Sequence, residues 1–82
     1  MKDKDVVAFI NLLEEAGCEY AKNLVRKILI PLAKEKGISL MEAADRYADD
    51  GEEQDTSEYQ LWLALTRISE ESIQALDIHK PL

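Results

Sequence analysis

Residues 21–42 read Ala-Lys-Asn-Leu-Val-Arg-Lys-Ile-Leu-Ile-Pro-Leu-Ala-Lys-Glu-Lys-Gly-Ile-Ser-Leu-Met-Glu. Ala21, Leu24, Val25, Ile28, Leu29, Leu32 and Ala33 recur every three or four positions, the spacing of a broad apolar stripe along a helix. Lys34 and Lys36 fall in the last turn, where cations suit the helix dipole, and Gly37 stands where a left-handed residue closes a helix. Ser39-Leu40-Met41-Glu42 then has the spacing of a capping box, serine and glutamate each satisfying an orphan backbone donor. One helix is therefore predicted from Cys18 or Glu19 to Lys36, and a short one from Leu40 to Ala48, with Leu40, Ala43, Ala44 and Tyr47 available to pack. Pro31 has no amide donor and its ring clashes with the carbonyl four residues earlier, which predicts a kink or a break there.

Working toward the N-terminus, Val6, Phe9, Ile10 and Leu13 give a helix over Lys4 to Ala16, with Val7 and Leu12 widening its face. Asp3 or Asp5 is placed to cap its start and Gly17 to end it. Toward the C-terminus, Asp49-Asp50-Gly51-Glu52-Glu53-Gln54-Asp55 reads as an acidic loop, after which Asp55 or Thr56 caps a last helix running to Leu76. Its inward residues are expected to be Leu61, Trp62, Leu65, Ile68, Ser72 and either Ile73 or Leu76, with Trp62 as core anchor. Residues 77–82, ending Pro81-Leu82, read as a frayed tail. The predicted fold is all-α: one domain over residues 1–76, an irregular bundle of about four helices, with a flexible tail over 77–82.

A chain of 82 residues buries only about 60–65% of the surface its unfolded form exposes. Domains this small add disulfides, metals, tight packing or association. Cys18 is the only cysteine, so no disulfide forms within the chain, and Cys18 with His79 falls short of a zinc set. Packing and association are left. Four broad stripes carry more apolar surface than one such core hides, so a homodimer is expected. No apolar run reaches the length of a membrane span, and the acids near the N-terminus interrupt any signal-peptide core. With a lone cysteine, the expected compartment is the cytoplasm.

Charge is unevenly placed. Met1 to Met41 holds six acids and seven bases, whereas Glu42 to Glu71 holds ten acids against Arg46 and Arg67 alone. Most of the net charge of −7 therefore lies in the second half. The candidate site is this acidic face: Glu42, Asp45, Asp49, Asp50, Glu52, Glu53, Asp55 and Glu58. It reads either as a solvated surface or as an electrostatic footprint for a basic partner protein. Phosphate contacts need clustered lysine and arginine, so this half is not expected to hold nucleic acid directly.

The stretch Leu29 to Tyr47 resembles a helix-turn-helix in part, with Ala33 and Gly37 at its spacing and Leu32, Ile38 and Ala43 apolar where it packs. Pro31 and Lys36 depart from that pattern, and the would-be recognition helix presents Glu42, Asp45, Arg46, Asp49 and Asp50. What the resemblance implies is DNA binding as a dimer, with the bases of the second helix meeting the phosphates. Aligning Gly51 on the calcium-loop glycine puts Arg46, Ala48 and Ser57 at ligand positions, so that pattern fails. His79 sits in the tail without an orienting partner, and Cys18 has no second histidine to activate it. Gly17, Gly37 and Gly51 are too far apart for a phosphate loop. No catalytic residue, cofactor or metal is expected. The resulting expectation is a non-enzymatic regulator, inhibitor or accessory subunit that binds protein through the acidic face, with nucleic-acid mimicry as its sharper form. The alternatives are a helix-turn-helix-like DNA-binding regulator and a purely structural self-associating subunit.

Overall fold

The computed structural model describes residues 2–49 and 56–82. Among the described residues five helices follow one another: α1 (Asp3–Glu15), α2 (residues 21–36), α3 (Leu40–Asp49), α4 (Ser57–Arg67) and α5 (Glu70–Gln74). Among the described residues no strand forms, and the chain's radius of gyration of 11.4 Å matches the roughly 11.7 Å of a compact globule of this length.

α1 buries Val6, Phe9, Ile10 and Leu13, the stripe its spacing predicts, while Val7 stays exposed and Leu12 half-buried. Neither Asp3 nor Asp5 caps it. The helix starts at Asp3 after Lys2, and the two acids lie inside the first turn, where they oppose the positive end of the dipole. Its end is a Schellman motif: Gly17 N–H donates to Glu14 O at 3.0 Å and Cys18 N–H to Leu13 O at 2.9 Å. Gly17 has φ +96°, which costs a side-chain-bearing residue roughly 1–2 kcal/mol. Arg67, at the far end of α4, donates to Ala16 O at 3.0 Å, so a cation also neutralises the negative end of α1.

α2 begins at Ala21, later than expected, because Tyr20 takes a left-handed conformation (φ +61°). It joins Ala21–Leu24, a π turn over Val25–Leu29, and Ile30–Lys36 without interruption. Ile30 N–H donates to Val25 O, five residues back instead of four. The wider turn carries the helix up to Pro31, whose ring would crowd the Lys27 carbonyl of a regular α-helix. Pro31 therefore neither splits the helix nor ends it. Gly37 (φ +65°) closes α2, with Ile38 N–H donating to Ala33 O at 3.0 Å.

Ser39 Oγ accepts from Glu42 N–H at 3.0 Å, the serine half of the expected box, whereas the Glu42 carboxylate turns to Arg46. A second donor of α3 goes to an unexpected partner: Met41 N–H donates to Ile78 O at 3.0 Å. The reading of residues 77–82 as a frayed tail is thus corrected to a docked segment. Ile78 is 1% exposed, Leu82 N–H donates to Ile38 O at 3.1 Å, and Pro81 bridges Ser39. Burial of Ile78, two backbone bonds, and the His79 ring against Ile73 O hold it.

The single last helix is corrected to two. Thr56 caps α4 by accepting from Tyr59 N–H at 3.2 Å, but Ile68 is extended (ψ 137°) and Ser69 caps α5 by accepting from Ser72 N–H at 3.2 Å. Leu61, Ala64 and Ile73 take the core positions, Leu65, Ile68 and Leu76 are partly buried against it, and Trp62 faces outward at 45% exposure. The main core gathers buried residues from all five helices and Ile78, and a smaller cluster of Ala33, Ile38 and Ala43 lies under the α2–α3 turn with Leu82.

Candidate functional site

α3 is short and sits with its Leu40, Ala43, Ala44 and Ala48 side in the core. The opposite side must therefore carry its polar residues to solvent, and the three- and four-residue steps between Glu42, Asp45 and Asp49 place them together there. All three are exposed. The Arg46 guanidinium lies 3.0 Å from the Glu42 carboxylate, one turn along, and this pair is itself solvent-exposed. Among the described residues no ion pair forms to Asp45 or Asp49. Partial burial, then the neighbouring Asp49 and Glu42 carboxylates, raise the Asp45 carboxyl above its ordinary range, with His79 of the docked tail opposing the shift.

Because Asp45 holds its proton more tightly in the fold than in the unfolded chain, its ionisation works against the fold. That cost is absent in acid, grows as pH rises above the ordinary carboxylate value, and is fully present at neutral pH. Asp45→Asn is expected to raise the thermal midpoint slightly at neutral pH, the effect being small because solvent screens an exposed group. The gain should close on acidification. A gain that persists in acid would mean that something other than charge had changed.

Glu58 lies in the first turn of α4, half-buried, beside Tyr47 of α3. Burial, then the hydrogen bond and charge of Glu58, push the Tyr47 phenol up, so it stays a neutral donor at physiological pH. Of the acidic residues singled out in the sequence, Glu42, Asp45 and Asp49 thus share one face, and Glu58 lies where α3 meets α4. Asp50, Glu52, Glu53 and Asp55 lie outside the described residues.

Sequence reasoning placed Trp62 in the core, and here the structure adds a site residue. Leu61 and Ala64 take the buried line of α4, which turns Trp62 toward solvent, its ring 5.8 Å from Tyr59 and tilted by 32°. Trp62, Leu65 and Thr66 form one wall of a groove whose other wall is Asp45, Ala48 and Asp49. An exposed indole is thereby flanked by carboxylates. The signal was available in the sequence as a second line on α4, Tyr59-Trp62-Thr66, parallel to the buried one.

α2 and α3 meet across Gly37 as the helix-turn-helix resemblance implies, but the outward side of α3 is the carboxylate face just described. Cys18 is buried, and desolvation, then Glu14, raise its thiol, which holds it protonated and poorly nucleophilic. The His79 ring nitrogen Nε2 lies 3.1 Å from Ile73 O, where it ties the tail to α5. Among the described residues no group of three or more His, Cys, Asp or Glu side chains is placed to hold a metal ion, and no helix is long and apolar enough to cross a membrane. No protein-family model, curated protein or solved structure matches the chain.

Proposed function

We propose that this chain is a non-enzymatic cytoplasmic regulator, inhibitor or accessory subunit that acts by binding a protein with a basic surface through the face formed by α3 and α4. Occupation of a nucleic-acid groove on that partner is its sharper form. One observation carries the reading: Trp62 is held at the surface, in one groove with Asp45 and Asp49. An aromatic residue that could have filled the core instead offers apolar area, and the carboxylates beside it supply long-range steering.

Wild-type protein, Trp62→Ala and Asp45→Asn/Asp49→Asn, each immobilised, are compared for what they retain from lysate of the native host at low and high salt. The expected result is a basic protein held by the wild type at low salt, released by salt, and lost from both variants. Identical retention by all three would reject the reading. A low-salt gel shift with DNA is expected to show no complex, and a complex would favour the DNA-binding alternative.

A further inference from the structure

We propose that a basic, apolar groove beside α2 receives the α3–α4 acidic, aromatic face of a second copy of this chain, in a head-to-tail contact. The inference uses the same face as the proposed function, but it concerns a different surface and a different partner.

The groove runs between α2 and α3 and is lined by Lys27, Ile28, Leu32, Lys36, Arg46 and Tyr47, enclosing about 510 Å³. Among the described residues its wall carries Lys27 and Lys36 against Glu35, together with Arg46, whose guanidinium is already paired with Glu42. In a chain of net charge −7 this is a local reversal of sign. Past Lys27 and Ile28, which line both, the groove continues into a cavity of about 580 Å³ bordered by Tyr20 and Leu24. Its apolar side is open to solvent: Ile28 is 40% exposed and Tyr20 78%. The α2 stripe was expected to be inward at Ile28, and α2 instead keeps part of it free.

The complementary shape is carried by the same molecule. Tyr59, Trp62 and Thr66 follow one another along the outer side of α4 at three- and four-residue steps, the spacing of a helix laid into a groove, with Asp45 and Asp49 alongside. At 1.5 Å per residue, α2 offers about 24 Å of wall and α4 about 16 Å of insert. Apolar anchors would meet Ile28 and Leu32, and the carboxylates would meet Lys27 and Lys36.

One copy cannot make this contact with itself. Arg46 and Tyr47 border the groove while Asp45, Ala48 and Asp49 border the acidic face, so the two surfaces lie on different sides of α3 and meet at the Glu42–Arg46 pair. A second copy supplies the missing half, and the contact is heterologous: each molecule keeps one unused groove or one unused face. The overall negative charge opposes the approach of two copies, so the contact is weak and concentration-dependent.

The test is sedimentation velocity of the full chain over about a hundredfold range of concentration, with two variants. Asp45→Lys/Asp49→Lys alters the face and leaves the groove; Lys27→Glu/Lys36→Glu alters the groove and leaves the face. Wild type is expected to associate as concentration rises, and each variant to weaken association at least about tenfold. An equimolar mixture of the two variants is expected to associate again, because an intact face finds an intact groove and the reversed charges on the other two surfaces also complement one another. Should charge reversal unfold either variant by circular dichroism, Asp45→Asn/Asp49→Asn and Lys27→Ala/Lys36→Ala take their places. A wild type that stays monomeric, variants that associate like wild type, or a folded mixture that stays monomeric would each overturn the contact. The groove variant should still retain the basic partner of the proposed function, so loss of self-association with partner capture intact separates the two ideas, as does the converse.

Discussion

Replacing Ile78 by alanine is expected to destabilise the fold by about 2–4 kcal/mol, the cost of deleting a fully buried branched side chain. Ile78 is 1% exposed and belongs to the main core, although it is flanked by Asp77, His79 and Lys80. Its carbonyl also accepts from Met41 N–H, one of the donors that the first turn of α3 cannot satisfy internally. Loss of the side chain loosens the segment that supplies this bond, so α3 should feel the change as well. The measurement is urea unfolding followed by far-UV circular dichroism. A midpoint within error of wild type would mean that the tail frays after all.

Phe9→Ala is expected to cost more, about 3–5 kcal/mol. Phe9 is fully buried on α1, the helix that contacts both α2 and α4. The total stability of a domain of this length is on the order of 4–12 kcal/mol. One truncation therefore removes a large share, and a substantial unfolded population at 37 °C is the expected outcome, seen as a lost cooperative transition on heating. A loss under about 1 kcal/mol would show that the surroundings collapse into the void, contrary to close packing between three helices.

Four helix ends were legible because each is fixed by a residue with one dominant local role. Gly17 and Gly37 take the left-handed conformation that ends α1 and α2, and Ser39 and Thr56 accept the amides that start α3 and α4. The first stripe was legible for the same reason: Val6, Phe9, Ile10 and Leu13 repeat cleanly and have no competing line. On α4 two lines compete, and Trp62 went to the wrong one because size was taken for burial. The break at Ile68 was also within reach, since Ser69 followed by Glu70 and Glu71 is a helix start in its own right. What hid it was an apolar spacing that passes through the break unaltered. Ile78 had no signal at all: a single apolar residue has no period, and only the distant surface of α3 decides its fate.

Part of the candidate site was visible in advance and part was not. Glu42, Asp45 and Asp49 share a face by helical geometry alone, which a sequence states. That Asp45 and Asp49 border Trp62 depends on how α3 lies against α4, which no local pattern encodes. The placing of a basic groove and an acidic face on different sides of α3 is likewise a property of packing.

The π turn in α2 has a consequence for how this chain tolerates change over descent. A π turn is a helical turn holding one residue more than its neighbours, and here it lies directly before the proline that a regular helix would reject. A lineage that exchanged Pro31 for an ordinary residue could shed one position between Val25 and Ile30, regain a continuous α-helix, and keep both halves of α2 seated on α1 and α3. The same deletion made anywhere else in α2 would rotate one half of its stripe out of the core. Within the interior of this helix, the π turn is the place where a single-residue deletion keeps both halves of the stripe in register.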